Sequence, residues 1–254
     1  MSVSISAAII TFNEERNIRR CIESLKGCVD EIVVLDSYST DKTVEICKEL
    51  GVVIIQKEWM GYTQSKNYLN SKITSEYIFS IDADEAPNEV LKSCINRLRI
   101  DGFSGVYSLS RMTNYCGKWI HHSGWFPDEK VRIFPKDRTK WVGEHVHEEL
   151  EFSEKQQCHN LEGILEHYSY YSFEDHRRRA DKYSSLTAIK YVEQGKNAGP
   201  MKPFLSGLGR FISMFFLKKG FLDGYMGFKI ALISAQSNVF KYKEVRRIYR
   251  DGRN

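Results

Sequence analysis

In the first 100 residues, apolar runs alternate with segments of helical spacing, and this order restricts the chain to a small set of α/β folds. Residues 4–12 are rich in Ile and end at Asn13. Residues 14–25 then set Ile18, Cys21, Ile22 and Leu25 at helical spacing, with Gly27 as a stop. Residues 31–35 read as a second buried strand ending at Asp36, and Ser39-Thr40-Asp41 supplies N-cap chemistry for a helix through Val44, Cys47 and Leu50. A strand at 52–55, a helix at 62–71 and a strand at 77–81 follow, and Pro87 is expected to open the next helix. The pattern predicts a doubly wound, mainly parallel sheet, whose ligands bind beyond the carboxyl ends of the strands. Asn13, Asp36 and the run Asp82-Ala83-Asp84-Glu85 all fall at those ends, so one crevice can gather them.

Asp82, Asp84 and Glu85 lie directly after the apolar run Tyr77-Ile78-Phe79-Ser80-Ile81. Carboxylates this close repel one another unless a cation or hydrogen-bond donors hold them. Hard oxygen ligands at a strand end suit Mg²⁺ or Mn²⁺ carrying phosphate oxygens. Taken alone, the run also fits a solvated acidic turn.

The 254 residues suffice for one large domain, or a domain with an appendage. Hydrophobic content of 42% and charged content of 28% are those of a globular protein, and a net charge of +4 does not indicate a nucleic-acid binder. Six scattered cysteines without a C-x-x-C pair are expected to be reduced thiols. No signal peptide is read at the N-terminus and no run of about 20 apolar residues is present, so a cytoplasmic protein without a spanning helix is expected. The middle of the chain has strand-like runs at 106–112, 130–134 and 161–168, separated by loops rich in Gly, Trp, His and Pro.

Four segments coincide: Thr11-Phe12-Asn13-Glu14-Glu15, Val34-Leu35-Asp36-Ser37-Tyr38-Ser39-Thr40-Asp41, Asp82-Ala83-Asp84-Glu85, and Gly143-Glu144-His145-Val146-His147-Glu148. In this order and spacing the chain resembles the inverting family-two glycosyltransferases of the GT-A fold. Residues 61–67, 116–128 and 220–224 extend the resemblance to the lipopolysaccharide or lipooligosaccharide core β-1,4-glucosyltransferase subgroup. The resemblance implies a GT-A type domain over residues 1–170 and a helical, amphipathic region over 171–254. It implies a nucleotide-sugar donor (a UDP-sugar first), a divalent metal (Mg²⁺ or Mn²⁺) and a hydroxyl of a lipid-linked saccharide as acceptor. Thr11, Asn13 and Glu14 match the motif that lines the nucleoside pocket, and Asp36 the acid that accepts from the base N–H. Lys66 is placed near the nucleotide, Asp82 toward the ribose or metal waters, and Asp84 on the metal, with His167 as a further metal or pyrophosphate contact.

Inversion at an oxocarbenium-like carbon requires one carboxylate to take the acceptor proton. Glu148 stands where the family places that base; Glu149, Glu144 and Asp128 are the competing acids. His145 and His147 invite a zinc reading, but no further Cys/His set has ligand spacing, and His147 is expected to position substrate. Trp119 and Trp125 fit a sugar face or a buried aromatic cluster, and Arg132 a phosphate or acceptor contact. Two other readings are a nucleotidyltransferase, which would need a Gly-rich phosphate loop where Asn13-Glu14-Glu15-Arg16 stands, and a non-catalytic carbohydrate-binding protein.

In the C-terminal region Phe204, Leu205, Leu208, Phe211, Ile212, Phe215 and Phe216 share one broad helical face, with Arg210, Lys218 and Lys219 supplying positive charge. This pattern suits either a helix in an anionic membrane interface, peripheral on the inner face of the plasma membrane, or a helix docked on the main domain.

Overall fold

The computed structural model describes residues 3–143, 148–153 and 156–251. The chain divides into two compact units, one built from Met1–Arg111 and Asp128–Tyr168, the other from Met112–Pro127 and Ser169–Asn254.

The first unit is organised by a sheet. Strands β1 (Ile5–Thr11), β2 (Glu31–Asp36), β3 (Val53–Gln56) and β4 (Tyr77–Asp82) pair in the order β3-β2-β1-β4, all parallel. β1 is buried on both faces, as a central parallel strand must be. Ile5, Ala7 and Ile9 point into one core, with Ile18, Cys21, Ile22 and Leu25 of helix α1 (Ile18–Leu25); Ala8 points into the other, with Leu69 of helix α3 (Tyr62–Lys72). That alternation makes the sheet doubly wound. Helix α2 (Thr43–Glu49) follows β2.

Parallel pairing ends at β4. The sheet continues through β8 (Asp128–Pro135), β6 (Val106–Tyr115), β11 (Cys158–Tyr170) and β5 (Glu85–Pro87), with β4–β8, β8–β6 and β11–β5 antiparallel. No crossover helix joins β6 to β8, only a segment carrying the short β7 (Lys118–Trp119), so antiparallel pairing is the arrangement open to them. Pro87 does not open a helix; it ends β5. Helix α4 (Glu89–Asp101) starts after Asn88, whose side chain accepts from Leu91 N at 3.0 Å. β9 (Thr139–Val142) and β10 (Glu149–Phe152) pair antiparallel in a separate two-stranded sheet.

The second unit is mostly helical: α5 (Phe173–Glu193), α6 (Lys202–Ile212), a π turn at Ser213–Leu217, a 3₁₀ turn at Gly220–Asp223 and α7 (Gly224–Asp251). Residues 112–127 belong here because Asp223 fastens them. Its carboxylate accepts from His121 N and His122 N, both at 3.1 Å, and from Ser123 Oγ at 2.9 Å. Gly207 lets α6 approach α7: a Cβ there would meet Val239 Cγ2 at 2.4 Å. Trp125 does not stand free for a sugar; it stacks on Tyr170 in an aromatic cluster with Tyr115 and His176.

His176 is buried, and Tyr115 Oη lies 2.8 Å from its Nδ1. Burial lowers its pKa from 6.5 to about 4. Between these values the unfolded chain binds the proton and the folded one does not, so stability is lost as pH falls from about 6.5 toward 4. The full span is worth about 3 kcal/mol. In thermal melts, His176→Phe is expected to lose less stability than wild type between pH 7 and pH 4.5; equal losses would remove His176 as the cause.

Candidate active site

The candidate residues Thr11, Asn13, Asp36, Asp82 and Asp84 lie at or just beyond the carboxyl ends of β1, β2 and β4. Register sets Thr11 opposite Asp36, and Ile10 opposite Asp82. The loops after β1 and β2 zip together. Asn13, in the left-handed region at φ 55°, donates its N–H to Ser39 Oγ (2.8 Å) and accepts from Thr40 N (2.8 Å). Glu14 N donates to Thr43 Oγ1 at 2.8 Å, and the Glu14 carboxylate accepts from Asn17 Nδ2 at 2.8 Å. Asp36 is buried and accepts from Ser39 N (3.0 Å), Ser39 Oγ (2.5 Å) and Gln56 Nε2 (3.1 Å). A carboxylate offers about four acceptor positions, so one remains. Thr11 Oγ1 is buried with no hydrogen-bond partner among the described residues, which is unusual for a hydroxyl at a strand end.

A second meeting joins segments about 80 residues apart in sequence. Thr63 Oγ1 donates to Gly143 O (2.8 Å), Asn67 exchanges hydrogen bonds with the Trp141 main chain (2.8 and 3.0 Å), and Lys66 Nζ reaches Glu148 Oε1 at 3.1 Å. Lys66 is buried, lies 4.5 Å from the Trp141 ring centroid and also faces Asp82 Oδ1 at 3.7 Å. Lys66 therefore stands between the acid of β4 and the candidate base. Glu144, His145 and His147 lie outside the described residues.

Asp82 is the most heavily engaged acid of its motif. Arg132 Nη2 lies 2.7 Å from its Oδ2. Burial alone would raise the Asp82 pKa, but Arg132 and then Lys66 outweigh it and hold the group ionised far below the usual carboxylate range. Burial likewise disfavours the Arg132 cation, and Asp82 and Glu85 overcome that, raising its pKa. Asp84 turns away from these cations, and its Oδ2 lies 3.2 Å from His167 Nε2. His167 Nδ1 is buried and unpartnered among the described residues. Asp128, a competing base, is tied by Arg111 Nε (2.9 Å) and Nη2 (2.7 Å) on Oδ2 and by Lys130 (3.1 Å) on Oδ1. Burial raises its pKa, but Arg111 and Lys130 outweigh that, and the net shift is downward. Glu149 is exposed on β10.

Asp84 and His167 fit a divalent cation as a pair of one oxygen and one nitrogen donor. Their side chains are 20% and 14% exposed, so the pair still reaches solvent. No group of three or more His, Cys, Asp or Glu side chains is arranged to hold a metal among the described residues. Two protein donors suit an Mg²⁺- or Mn²⁺-type ion whose remaining positions are filled by phosphate oxygens and water.

Residue spacing does not reveal the pairing of Glu85 with Arg111 and Arg132, or the placement of Trp141 beneath Lys66. Arg132, expected from the sequence to contact phosphate or acceptor, pairs with Asp82 and Glu85. Phe12 and Tyr38 are exposed aromatics on the loops after β1 and β2.

In doubly wound sheets ligands bind in the crevice beyond the carboxyl ends of the strands, which is where these acids and cations gather. The chain belongs to glycosyl transferase family 2, which it matches over residues 6–154, and is a glycosyltransferase. It is 30% identical over 257 residues to a glycosyltransferase of Rickettsia felis, covering 95% of this chain and 89% of that one. It is 26% identical over 252 residues to the lipopolysaccharide core biosynthesis glycosyltransferase LpsC of Rhizobium meliloti, covering 96% and 92%. Among solved structures it is similar to glucosyl-3-phosphoglycerate synthase from Mycobacterium tuberculosis in complex with Mn²⁺, UDP and glucosyl-3-phosphoglycerate, at 22% identity over 44% of each chain and a TM-score of 0.37.

Proposed function

We propose that the protein is an inverting hexosyltransferase of the GT-A type that uses a nucleoside diphosphate sugar, a UDP-sugar first, and a hydroxyl of a lipid-linked saccharide such as lipopolysaccharide core. The observation that carries the reading is the run Glu148–Lys66–Asp82 set at the strand ends that also bear the Asp84–His167 pair. The similarity to LpsC supports the acceptor class. Thr11, Asn13, Glu14 and Asp36 form the nucleoside side, where the Thr11 hydroxyl, unpartnered among the described residues, and the remaining acceptor position of Asp36 offer contacts to a nucleoside. Asp84 and His167 would hold the divalent cation, which when bound supplies Lewis-acid stabilisation of the leaving diphosphate. Lys66 adds a second cation beside that anion. Asp82, kept ionised by Arg132, orients Lys66 and faces the ribose. Glu148 takes the proton of the attacking hydroxyl as the acceptor enters from the face opposite the leaving group. The test is a thermal-shift panel of nucleotide sugars with Mn²⁺ and with EDTA. A UDP-sugar is expected to raise Tm in the presence of Mn²⁺, since a ligand that prefers the folded state stabilises it; no shift with any member of the panel rejects the reading.

The membrane-facing part of the proposal rests on the second unit. Phe204, Leu205, Leu208, Ile212 and Phe216 are 42–61% exposed, while Phe211 and Phe215 turn inward onto the cluster around Met214. Leu217, Phe221 and Leu222 prolong the apolar surface, and Lys202, Arg210, Lys218 and Lys219 beside it are exposed cations. No helix among the described residues is long and apolar enough to cross a membrane. Apolar side chains edged by cations fit an anionic lipid interface. The protein is expected to sediment with vesicles containing anionic lipid at low salt, and Phe204→Ser with Leu208→Ser to abolish this. Equal recovery of wild type and variant in the pellet would reject the surface.

A further inference from the structure

Glu85 is a deeply buried acid of the site. Its side chain is fully buried, yet every oxygen has a partner: Oε1 accepts from Arg111 Nη1 at 2.9 Å and Arg132 Nη2 at 2.7 Å, and Oε2 accepts from the main-chain N–H of Asp82 at 3.0 Å. An unpaired carboxylate here would be costly; this one is matched on all sides. It is also a link in an alternating series of charges, Glu148–Lys66–Asp82–Arg132–Glu85–Arg111–Asp128, in which each contact lies between 2.7 and 3.7 Å.

The same residue sits in β5 directly opposite His167 of β11, and Tyr168 N donates to Asp84 O at 2.8 Å on the same edge. The residue thus fixes two things, one by its side chain and one by its main chain. Through Arg132 and the Asp82 main chain it sets the acid that faces Lys66. Through the short strand it begins, it sets the spacing of Asp84 and His167. We propose that Glu85 is a positioning residue of the transfer reaction, holding Asp82 and the Asp84–His167 pair in the geometry that receives a diphosphate and its cation. This rests on the donor-site reading above. Glu85 touches no substrate; being buried, it acts through its partners.

The test is calorimetric titration of UDP into the full chain with Mn²⁺, alongside thermal melts. Glu85→Gln keeps the shape but removes the charge that Arg111 and Arg132 share. It is expected to weaken UDP–Mn²⁺ binding about 10- to 100-fold, the usual cost of losing a partner behind a metal or anion site, and to lower Tm. Glu85→Gln/Arg132→Met removes the buried pair together, which relieves the unmatched charge. It is expected to regain most of the lost Tm without regaining affinity, a split that a purely structural role would not produce. If Glu85→Gln does not fold, Glu85→Asp carries the test: it keeps the charge but draws it one methylene back from Arg111 and Arg132, and is expected to weaken UDP–Mn²⁺ binding, whereas wild-type affinity in it overturns the proposal. A wild type that gives no UDP–Mn²⁺ signal overturns the donor-site reading and this proposal with it. A wild type that binds while Glu85→Gln binds within about twofold, or a double variant that regains both Tm and affinity, overturns the proposal alone.

Discussion

Glu148→Gln is expected to lower kcat for sugar transfer by about 10²- to 10⁴-fold, the range of a lost general base, with UDP affinity little changed. The substitution keeps a carbonyl oxygen for Lys66, 3.1 Å away in the wild type, so the local structure is retained. It removes only the capacity to accept a proton. Lys66, left with one carboxylate partner, is then drawn to Asp82, now 3.7 Å away, on the donor side. Donor affinity should therefore hold or rise slightly while turnover collapses. No such split is expected for Asp128→Asn. Asp128 is locked by Arg111 and Lys130, and a carboxylate held below its ordinary pKa by two cations is a poor base. Steady-state transfer assays with calorimetric UDP binding on both variants decide the matter: near-wild-type turnover in Glu148→Gln moves the base to another acid.

Strands β1 to β4 and the acids at their ends were legible because burial on both faces leaves a plain signal: Ile-rich runs that end at polar residues. Long-range partners were not. Nothing in the spacing of Glu85 shows that Arg111 and Arg132 converge on it, since they come from antiparallel strands whose register depends on the whole sheet. Pro87 misled because proline suits the first turn of a helix and the end of an edge strand equally; Asn88 carried the capping signal instead. Asn13, Glu14 and Asp36 match a ligand-binding motif, yet much of their hydrogen bonding is spent zipping two loops together. A residue type that can both cap a turn and meet a ligand does not announce which it does. The amphipathic face of residues 204–216 was visible as a face, but periodicity does not tell which aromatics turn inward; packing around Met214 selected Phe211 and Phe215.

Asp84→Ala is expected to cost about a thousandfold in kcat and to remove the Mn²⁺ dependence of nucleotide binding, while leaving the fold intact. Loss of a Lewis-acid site is worth several kcal/mol, and roughly 4 kcal/mol is a factor of about a thousand. Stability should change little, because the side chain is 20% exposed and the ion-pair distance it makes is to His167. Asp82→Asn should behave differently, although it lies two positions away. Its carboxylate neutralises two buried cations, Arg132 and Lys66, so its loss leaves charge unmatched in the interior and lowers Tm. It should also alter nucleotide binding whether Mn²⁺ or EDTA is present, since its contacts are to protein cations. Measuring UDP affinity across a Mn²⁺ series for both variants separates the roles. If Asp84→Ala keeps a wild-type Mn²⁺ dependence and Asp82→Asn loses it, the metal belongs on Asp82, and the buried clamp on that residue must open to admit it.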